Sequence, residues 1–261
     1  MAGIEDKIEF LRRRFREIGS AVVAFSGGVD SSVLVVLASQ ELGQHLMAAT
    51  AVSPSFPESD RTFVKNFCLE KNIPHTFVKT FEFEDPSFLK NPEDRCYFCK
   101  KCLYETMTDL ADGLGFSFVV EGTNASDLCG HRPGYRASQR NPRVVTPLID
   151  CGFTKIEVRA LAHILGLNTA KKPAAACLAS RIPTGMQIEP SILLRIDQAE
   201  DFLRGLGISQ VRVRHHGDLS RIEVSPLDME ICMKYREMIS EKLKALDWNF
   251  VALDLQGYKD K

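Results

Sequence analysis

The chain has 261 residues, enough for one large domain or two small ones with a buried core. Its 33 Lys and Arg against 34 Asp and Glu leave a net charge of -1, and 44% hydrophobic with 26% charged residues is ordinary for a globular protein. That balance argues against a nucleic acid as main partner. It also holds no apolar run of the ~18 residues a membrane span needs.

The amino-terminal MAGIEDKIEFLRRRFREIG reads as an amphipathic helix and not as a signal peptide, so the expected location is the cytoplasm. In that compartment the eight cysteines should be thiols, ligands or catalysts. The first helix is predicted over Ile4 to Ile18, with Ile4, Ile8, Leu11, Phe15 and Ile18 near one face. Ala21 to Phe25 reads as a short buried strand, and a helix starts at Asp30 or Ser31 and ends near Gly43. HLMAATAVS is a second strand, and a helix opened by Pro57 covers Glu58 to Lys71. HTFVKTF is a third strand, Tyr97 to Asp112 a helix, FSFVVEG a fourth strand, and Lys155 to Leu165 a helix closed by Gly166.

This alternation predicts an α/β fold: an open, mostly parallel, Rossmann-like sheet with helices on both faces. In such sheets ligands bind beyond the carboxyl ends of the strands, where SGGVDSS, AVSPS and EGTNASD fall. After a loop from Asn168 to Pro190 the order changes. A helix (Ser191 to Leu206), two strands (Gln210 to His215, Arg221 to Ser225), a helix (Leu227 to Ala245) and a strand (Asn249 to Leu255) read as a small α+β unit. The expected division is a nucleotide-binding domain over 1–170, a linker and active-site loop over 171–188, and a small substrate or oligomerisation domain over 189–261.

The stretch VVAFSGGVDSS sets two adjacent glycines between a strand and a helix. Gly27 and Gly28 allow close approach and unusual dihedrals. The helix amino terminus aims its positive end at the same point, and Ser26, Ser31 and Ser32 add hydroxyls. Asp30 can hold a magnesium ion against phosphates. A P-loop would place a lysine after its glycines, and none follows here. Two glycines before a helix also read as a plain tight turn, but the hydroxyls and the position after the first strand favour phosphate binding.

SGGVDSS resembles the SGGxDS signature of the N-type ATP pyrophosphatases, the PP-loop superfamily. The resemblance implies cleavage of ATP between its α- and β-phosphates, adenylation of a substrate and release of pyrophosphate. It implies ATP binding by Ser26, Gly27, Gly28, Val29, Asp30, Ser31 and Ser32, with Ser53, Gly122 and Asn124 at neighbouring strand ends. Asp30 would be both a catalytic residue and the ligand of Mg2+.

NPEDRCYFCKKC sets Cys96, Cys99 and Cys102 at three-residue intervals. Such thiols can converge on one metal or one iron–sulfur cluster. A zinc site would want a second cysteine pair, which is missing, while a redox dithiol and small buried apolar cysteines are the other readings. Cys177, in KKPAAACLASRIPTG, stands four residues before Arg181 and reads as an exposed thiolate near a cation or as a structural cysteine. Cys68, Cys129, Cys151 and Cys232 lie in apolar or helical contexts and read as structural. Arg212 and Arg214 share one face of a strand, which is a solvated face or, with Arg181, a grip on a phosphate. His215 and His216 read as surface residues or metal ligands.

Together SGGVDSS, RCYFCK, EGTNASD, RPGYRA and CLASRIPTG resemble the LarE family of ATP-dependent sulfur transferases over essentially the whole chain. The resemblance implies that a carboxylate of a pyridinium dicarboxylate mononucleotide is adenylated and converted to thiocarboxylate, on the way to the nickel-pincer nucleotide cofactor. It implies ATP and Mg2+, a nucleotide substrate, a sulfide donor and self-association. One type of member gives up the sulfur of the cysteine matching Cys177 and keeps dehydroalanine. Another type, with a cysteine at the position of Cys96, carries a [4Fe-4S] cluster on three cysteines whose open iron takes an extra sulfide.

The cysteines here imply the cluster type on Cys96, Cys99 and Cys177. Cys102 is a rival ligand that would leave Cys177 as donor, and Arg181, Arg212 and Arg214 would grip the substrate phosphate. Two places depart from the family pattern: Ser126 and Asp127 follow GTN where an acidic pair is expected, and CGHRPG carries His131. An iron–sulfur tRNA thiolase of the same superfamily is disfavoured by the charge of -1 and the missing zinc-ribbon cysteines. A sensor that binds ATP without chemistry would release no pyrophosphate.

Overall fold

The structure, a computed structural model, describes residues 3–129 (the Cys129 side chain excepted), 133–173 and 176–259. His131 of the CGHRPG stretch and Arg132, the first residue of RPGYRA, lie outside the described residues. Two compact units divide the chain. The first comprises Met1–Ser53, Asp60–Phe88 and Asp94–Lys172, and the second Pro54–Ser59, Leu89–Glu93 and Pro173–Lys261.

The first unit opens with helix α1 (Ile4–Ile18), which turns Leu11, Phe15 and Ile18 inward. Strand β1 (Ala21–Ala24), helix α2 (Val29–Leu42) and strand β2 (Leu46–Val52) follow. Then come α3 (Glu58–Glu70), β3 (His75–Lys79), α4 (Pro86–Leu89), α5 (Arg95–Leu114), β4 (Phe118–Val120), α6 (Pro133–Ser138), β5 (Val144–Val145), α7 (Pro147–Asp150) and α8 (Lys155–Ile164). The five strands form one sheet in the order β3-β2-β1-β4-β5, parallel throughout.

The order decides where a ligand can bind. From β1 the chain builds outward through β2 and β3, then returns to pair β4 against the other side of β1. The connections after β1 and β4 therefore diverge, and the carboxyl ends of these two strands open a crevice at a topological switch point. The loop beginning at Phe25 and the loop beginning at Glu121 both leave from there. Helix α2 starts at that crevice and is apolar around its whole circumference. Val33, Leu34, Val35, Leu37 and Ala38 are fully buried, as a helix covered on all sides requires.

Two elements differ instructively from the sequence reading. The fourth strand begins at Phe118 and not at Phe116, because Gly115 in the left-handed region closes α5 and the Phe116 amide donates back to Ala111. Helix α5 starts at Arg95, two residues early, which places Cys96 on its first turn.

The second unit contains α9 (Pro190–Gly205), β6 (Val211–His216), β7 (Leu219–Val224), α10 (Met229–Lys234), α11 (Arg236–Ala245) and β8 (Phe250–Leu253). The predicted single helix over Leu227 to Ala245 is broken at Tyr235, which leaves helical geometry. β6 and β7 pair antiparallel across a turn with Gly217 at φ +65°, and β8 adds parallel to β7. Leu193, Ile196, Leu203, Val213, Val224, Leu243 and Trp248 fill the core. His215 belongs to it: its Nδ1 accepts the Trp248 indole N–H at 3.1 Å, and burial lowers its pKa. Among the described residues no helix is long and apolar enough to cross a membrane.

Candidate active site

The SGGVDSS loop is held by its own atoms. Gly27 has φ +73°, and a Cβ there would stand 2.8 Å from Val64 and 2.9 Å from Phe63 of α3, so backbone angle and space both demand glycine. Gly28 caps α2, and its carbonyl accepts from the Ser32 amide (2.9 Å) and the Ser31 hydroxyl (3.1 Å). Ser31 Oγ in turn accepts the Ser26 amide (3.3 Å) and shares a hydrogen bond with Ser26 Oγ (3.2 Å). The first-turn amides of α2 have no intrahelical acceptor and carry the positive end of the helix dipole. The Ser32 hydroxyl is buried without a partner among the described residues.

Asp30, at the start of α2, is held from two sides. Its Oδ1 accepts Asn124 Nδ2 at 3.0 Å, and its Oδ2 is ion-paired with Lys155 Nζ at the start of α8. Asn124 is fully buried. Its own orientation is fixed by Asp127 Oδ2, which accepts both the Asn124 amide (3.2 Å) and Nδ2 (2.8 Å). Ser126 Oγ accepts the Lys155 amide at 3.0 Å. Thus Ser126 and Asp127, the two departures after GTN, are the residues that aim Asn124 and Lys155 at Asp30. Gly122 completes the contact: a Cβ there would stand 3.3 Å from Asp30 Cβ and 3.4 Å from the Ser31 amide nitrogen.

A second lysine reaches the loop. Lys172 Nζ donates to the Gly27 carbonyl (3.2 Å) and to Asp60 Oδ1 (2.9 Å), and stands 4.1 Å from the Phe63 ring centroid. The cation missing from the loop's own sequence is supplied by residues 125 and 145 positions downstream of their partners.

Three thiols line α5. Cys96 is exposed and Cys99 half-buried. Cys102 turns elsewhere: its Sγ accepts the Phe81 amide at 3.2 Å, and burial pushes its pKa up. Helix α6 packs against the first turn of α5 because residue 134 is glycine, where a Cβ would stand 3.0 Å from Lys100 Cγ and 3.6 Å from the Cys96 carbonyl oxygen. From α6 and the turn beyond it Arg136 and Arg140 lie over the Tyr97 ring, and Arg140 Nη1 donates to the Tyr97 hydroxyl at 2.5 Å. The Lys100 ammonium is held protonated beyond the usual lysine range by Tyr104, then by Glu121, Cys99 and Cys96. Glu121 is itself buried, with Oε1 unpartnered among the described residues. Among the described residues no group of three His, Cys, Asp or Glu side chains stands ready for a metal ion.

Cys68, Cys151 and Cys232 are buried. Burial pushes Cys68 up to about 12 and Cys151 up to about 11, and raises Cys232 as well. These thiols are inert core side chains.

In the second unit Cys177 is exposed and in no disulfide. Its backbone is fixed. The Leu178 amide donates to the Ser55 carbonyl at 3.0 Å, and Arg181 Nη1 donates to the carbonyls of Ala176 (2.6 Å) and Cys177 (3.2 Å) and to Ser180 Oγ (3.1 Å). Arg181 is aimed by the fully buried Glu200, whose two oxygens accept Nε at 2.8 Å and Nη2 at 3.0 Å. Its donors are committed to the protein. Arg214 is also engaged, with Glu223 (2.9 and 3.0 Å) and the Ser180 carbonyl (2.7 Å). Arg212 differs: it lies 4.4 Å from the Tyr258 ring centroid and takes part in no ion pair among the described residues. Burial, and then the charges of Arg181 and Arg214, lower its pKa.

No family model matches the chain. A pyridinium-3,5-bisthiocarboxylic acid mononucleotide synthase of Lactiplantibacillus plantarum is 31% identical over 263 residues, spanning 99% of this chain and 94% of its own length. The chain belongs to the LarE family. An uncharacterized protein of Synechocystis is 39% identical over 98% of this chain and 96% of its own. A subunit of the glutamine-hydrolyzing GMP synthase of Thermococcus kodakarensis is 30% identical over 63% of this chain and 56% of its own length. This LarE-family protein is therefore an ATP-utilising PP-loop enzyme, a sulfur transferase.

Within this LarE chain the first unit gathers Ser26, Gly27, Gly28, Asp30, Ser31, Gly122 and Asn124 around one loop. Lys155, Lys172 and Asp127 join them, and sequence reasoning did not single those three out as site residues. Thr154 and Glu157 signal only a capping box at the start of α8, and nothing local to Lys155 reports a partner 125 residues away.

Proposed function

We propose that this enzyme uses ATP to adenylate a carboxylate of a pyridinium dicarboxylate mononucleotide and converts it to thiocarboxylate, in nickel-pincer nucleotide cofactor biosynthesis. The observation that carries the reading is similarity over 99% of the chain to the bisthiocarboxylic acid mononucleotide synthase. The self-braced loop beneath the first turn of α2 supports the ATP half of the reaction.

In the first step a carboxylate oxygen attacks the α-phosphorus, the bond from that phosphorus to the bridging oxygen breaks, and pyrophosphate leaves. The loop amides from Gly27 to Ser31 and the ammonium groups of Lys155 and Lys172 receive the charge of the leaving group. Asp30 would hold Mg2+, for which a half-buried carboxylate is a suitable hard ligand; the ion would add positive charge at the phosphates. Asn124 keeps that carboxylate oriented. In the second step a sulfur nucleophile attacks the acyl carbon, a C–S bond forms, the C–O bond to AMP breaks, and AMP leaves. Arg212, which takes part in no ion pair among the described residues, is the arginine assigned to bind the substrate phosphate.

The sulfur is assigned to a [4Fe-4S] cluster on Cys96, Cys99 and Cys177, supported by family resemblance and by three thiols that are at least partly exposed and form no disulfide. A bound cluster would supply an open iron for an extra sulfide.

Sacrificial donation is the second reading, favoured by the exposure and fixed backbone of Cys177. Its thiolate would attack the acyl adenylate and expel AMP. Loss of the Cys177 α-proton and cleavage of its Cβ–S bond would then leave dehydroalanine and release the thiocarboxylate.

The test is to incubate anaerobically prepared enzyme with ATP, Mg2+ and the dicarboxylate mononucleotide. AMP, pyrophosphate and thiocarboxylate are expected in equal amounts. Intact-protein mass spectrometry separates the sulfur sources, since only sacrificial donation removes the elements of hydrogen sulfide from Cys177. Absence of substrate-dependent pyrophosphate release would refute the proposal.

A further inference from the structure

Asn91 is fully buried, and its backbone sits in the left-handed region at φ +52°, which asparagine tolerates better than other residues with a Cβ. Its side-chain amide points at three carbonyls of the loop that follows Cys177. Nδ2 donates to Pro183 at 2.8 Å and Met186 at 3.1 Å, with a longer contact to Ile182 at 3.4 Å. The backbone closes the same joint in the other direction, for the Gly185 amide donates to the Asn91 carbonyl at 2.8 Å and the Ile188 amide to the Leu89 carbonyl at 2.9 Å. All these residues belong to the second unit, although Leu89–Glu93 precedes Asp94, where the chain re-enters the first.

Asparagine suits this position in both backbone angle and donor. Aspartate has the shape but would set a carboxylate against three carbonyl oxygens. Glycine would keep the backbone angle and leave the carbonyls without a donor, and glutamine is too long by one methylene. The front of the Cys177 loop is already held by Arg181 and Ser55. Asn91 holds its back, so the thiol is exposed on a segment tethered at both ends.

We infer that Asn91 is a positioning residue for sulfur transfer: its buried amide staples the loop behind Cys177 and so fixes where that thiol is presented. The inference rests on the sulfur-transfer reading above. It holds for either sulfur source, since both require Cys177 in one place. Asn91 belongs to the second unit and the SGGVDSS loop to the first, so adenylation should not depend on it.

The experiment compares full-length wild type with Asn91→Asp, Asn91→Gly and Asn91→Ala. Substrate-dependent ATP–pyrophosphate exchange is measured beside thiocarboxylate formation, and amide hydrogen exchange is followed across residues 178–188. Exchange between ATP and pyrophosphate is expected to stay within about twofold of wild type while thiocarboxylate formation falls at least about tenfold. Protection of the Gly185 and Ile188 amides should drop without a change in the first unit. Thiocarboxylate formation at the wild-type rate in Asn91→Asp overturns the inference. So does parallel loss of both half-reactions in all three variants, which would make Asn91 a general scaffold residue. Failure of the functional reading is separate and appears in wild type itself, as absence of both half-reactions.

Discussion

Asp30 and Lys155 form an ion pair at the crevice between β1 and β4, on the carboxylate expected to hold magnesium. A divalent cation on this carboxylate would compete with the Lys155 ammonium for its negative charge. This competition has a measurable sign. Lys155→Met should lower the Mg2+ concentration for half-maximal ATP–pyrophosphate exchange, while its maximal rate falls about tenfold because a phosphate-facing charge is lost. Asp30→Asn should raise the Mg2+ requirement and cut the rate by about 10²-fold or more. An unchanged Mg2+ requirement in both variants would remove Asp30 as the metal ligand.

The geometry of α5 separates its three cysteines. Cys96 is exposed and Cys99 half-buried on the first turns, whereas the sulfur of Cys102, also half-buried, accepts the Phe81 amide. Anaerobically purified wild type is expected to be brown, with about four irons and four sulfides per chain. Cys96→Ala should lose the colour and the iron, and Cys102→Ala should keep both. Iron retained in Cys96→Ala but lost in Cys102→Ala would reverse the ligand assignment.

What could be read from residues alone was local. Two adjacent glycines between an apolar strand and an apolar helix read as a tight turn by themselves, and it is the hydroxyls of Ser26, Ser31 and Ser32 with the place after the first strand that turn the reading toward a phosphate loop; the φ requirement at Gly27 is likewise a consequence of neighbouring residues. The parallel sheet was equally legible, through alternation of strand and helix. Pairing over long separations was not. Lys155 and Lys172 reach Asp30 and Gly27 only because α8 and the segment after it return to pack on α2, and Asn91 meets the Cys177 loop only because the chain crosses between units. Arg181 shows the same limit: an arginine four residues after a cysteine offers a cation to the thiolate or to a phosphate, and only the fully buried Glu200, 19 residues further on, reveals that it also clamps the loop. The two-residue β5 carries no period to detect.

The capping box of α8 supplies a pH-dependent prediction. Glu157 accepts Lys7 Nζ at 2.7 Å and the Thr154 amide at 2.8 Å, and the Lys7 hydrogen bond, followed by that of Thr154, pulls its pKa from 4.5 down to about 2. A carboxyl whose folded pKa is depressed stabilises the fold above its ordinary pKa and loses that contribution as pH falls toward the folded value. Glu157→Gln keeps the cap geometry and removes the charge. Since both side chains are partly solvated, the variant should be less stable by only about 1 kcal/mol at pH 7. The gap should narrow between about pH 4.5 and pH 2. Urea unfolding of both proteins across that range measures it, and a gap independent of pH would show that the charge contributes nothing.

Glu200 carries the heaviest load in the second unit. Besides two bonds from Arg181, the fully buried Glu200 carboxylate accepts the half-buried Arg204 Nη2 at 2.9 Å and the Val213 amide at 3.0 Å. Glu200→Ala strands the buried guanidinium of Arg181 without a countercharge, and should destabilise the protein by about 3–5 kcal/mol in urea unfolding. Replacing the pair with apolar residues, Arg181→Met with Glu200→Leu, removes both buried charges and should recover part of that loss. The recovery is incomplete because the Val213 amide stays buried without an acceptor, at about 1–3 kcal/mol. Stability and function should then part company. The double variant leaves the Ala176 and Cys177 carbonyls without their guanidinium donor, so thiocarboxylate formation should stay at least about tenfold below wild type even where the fold is regained. Full activity in a refolded double variant would mean that Arg181 serves only the stability of the unit and that Cys177 needs no clamp.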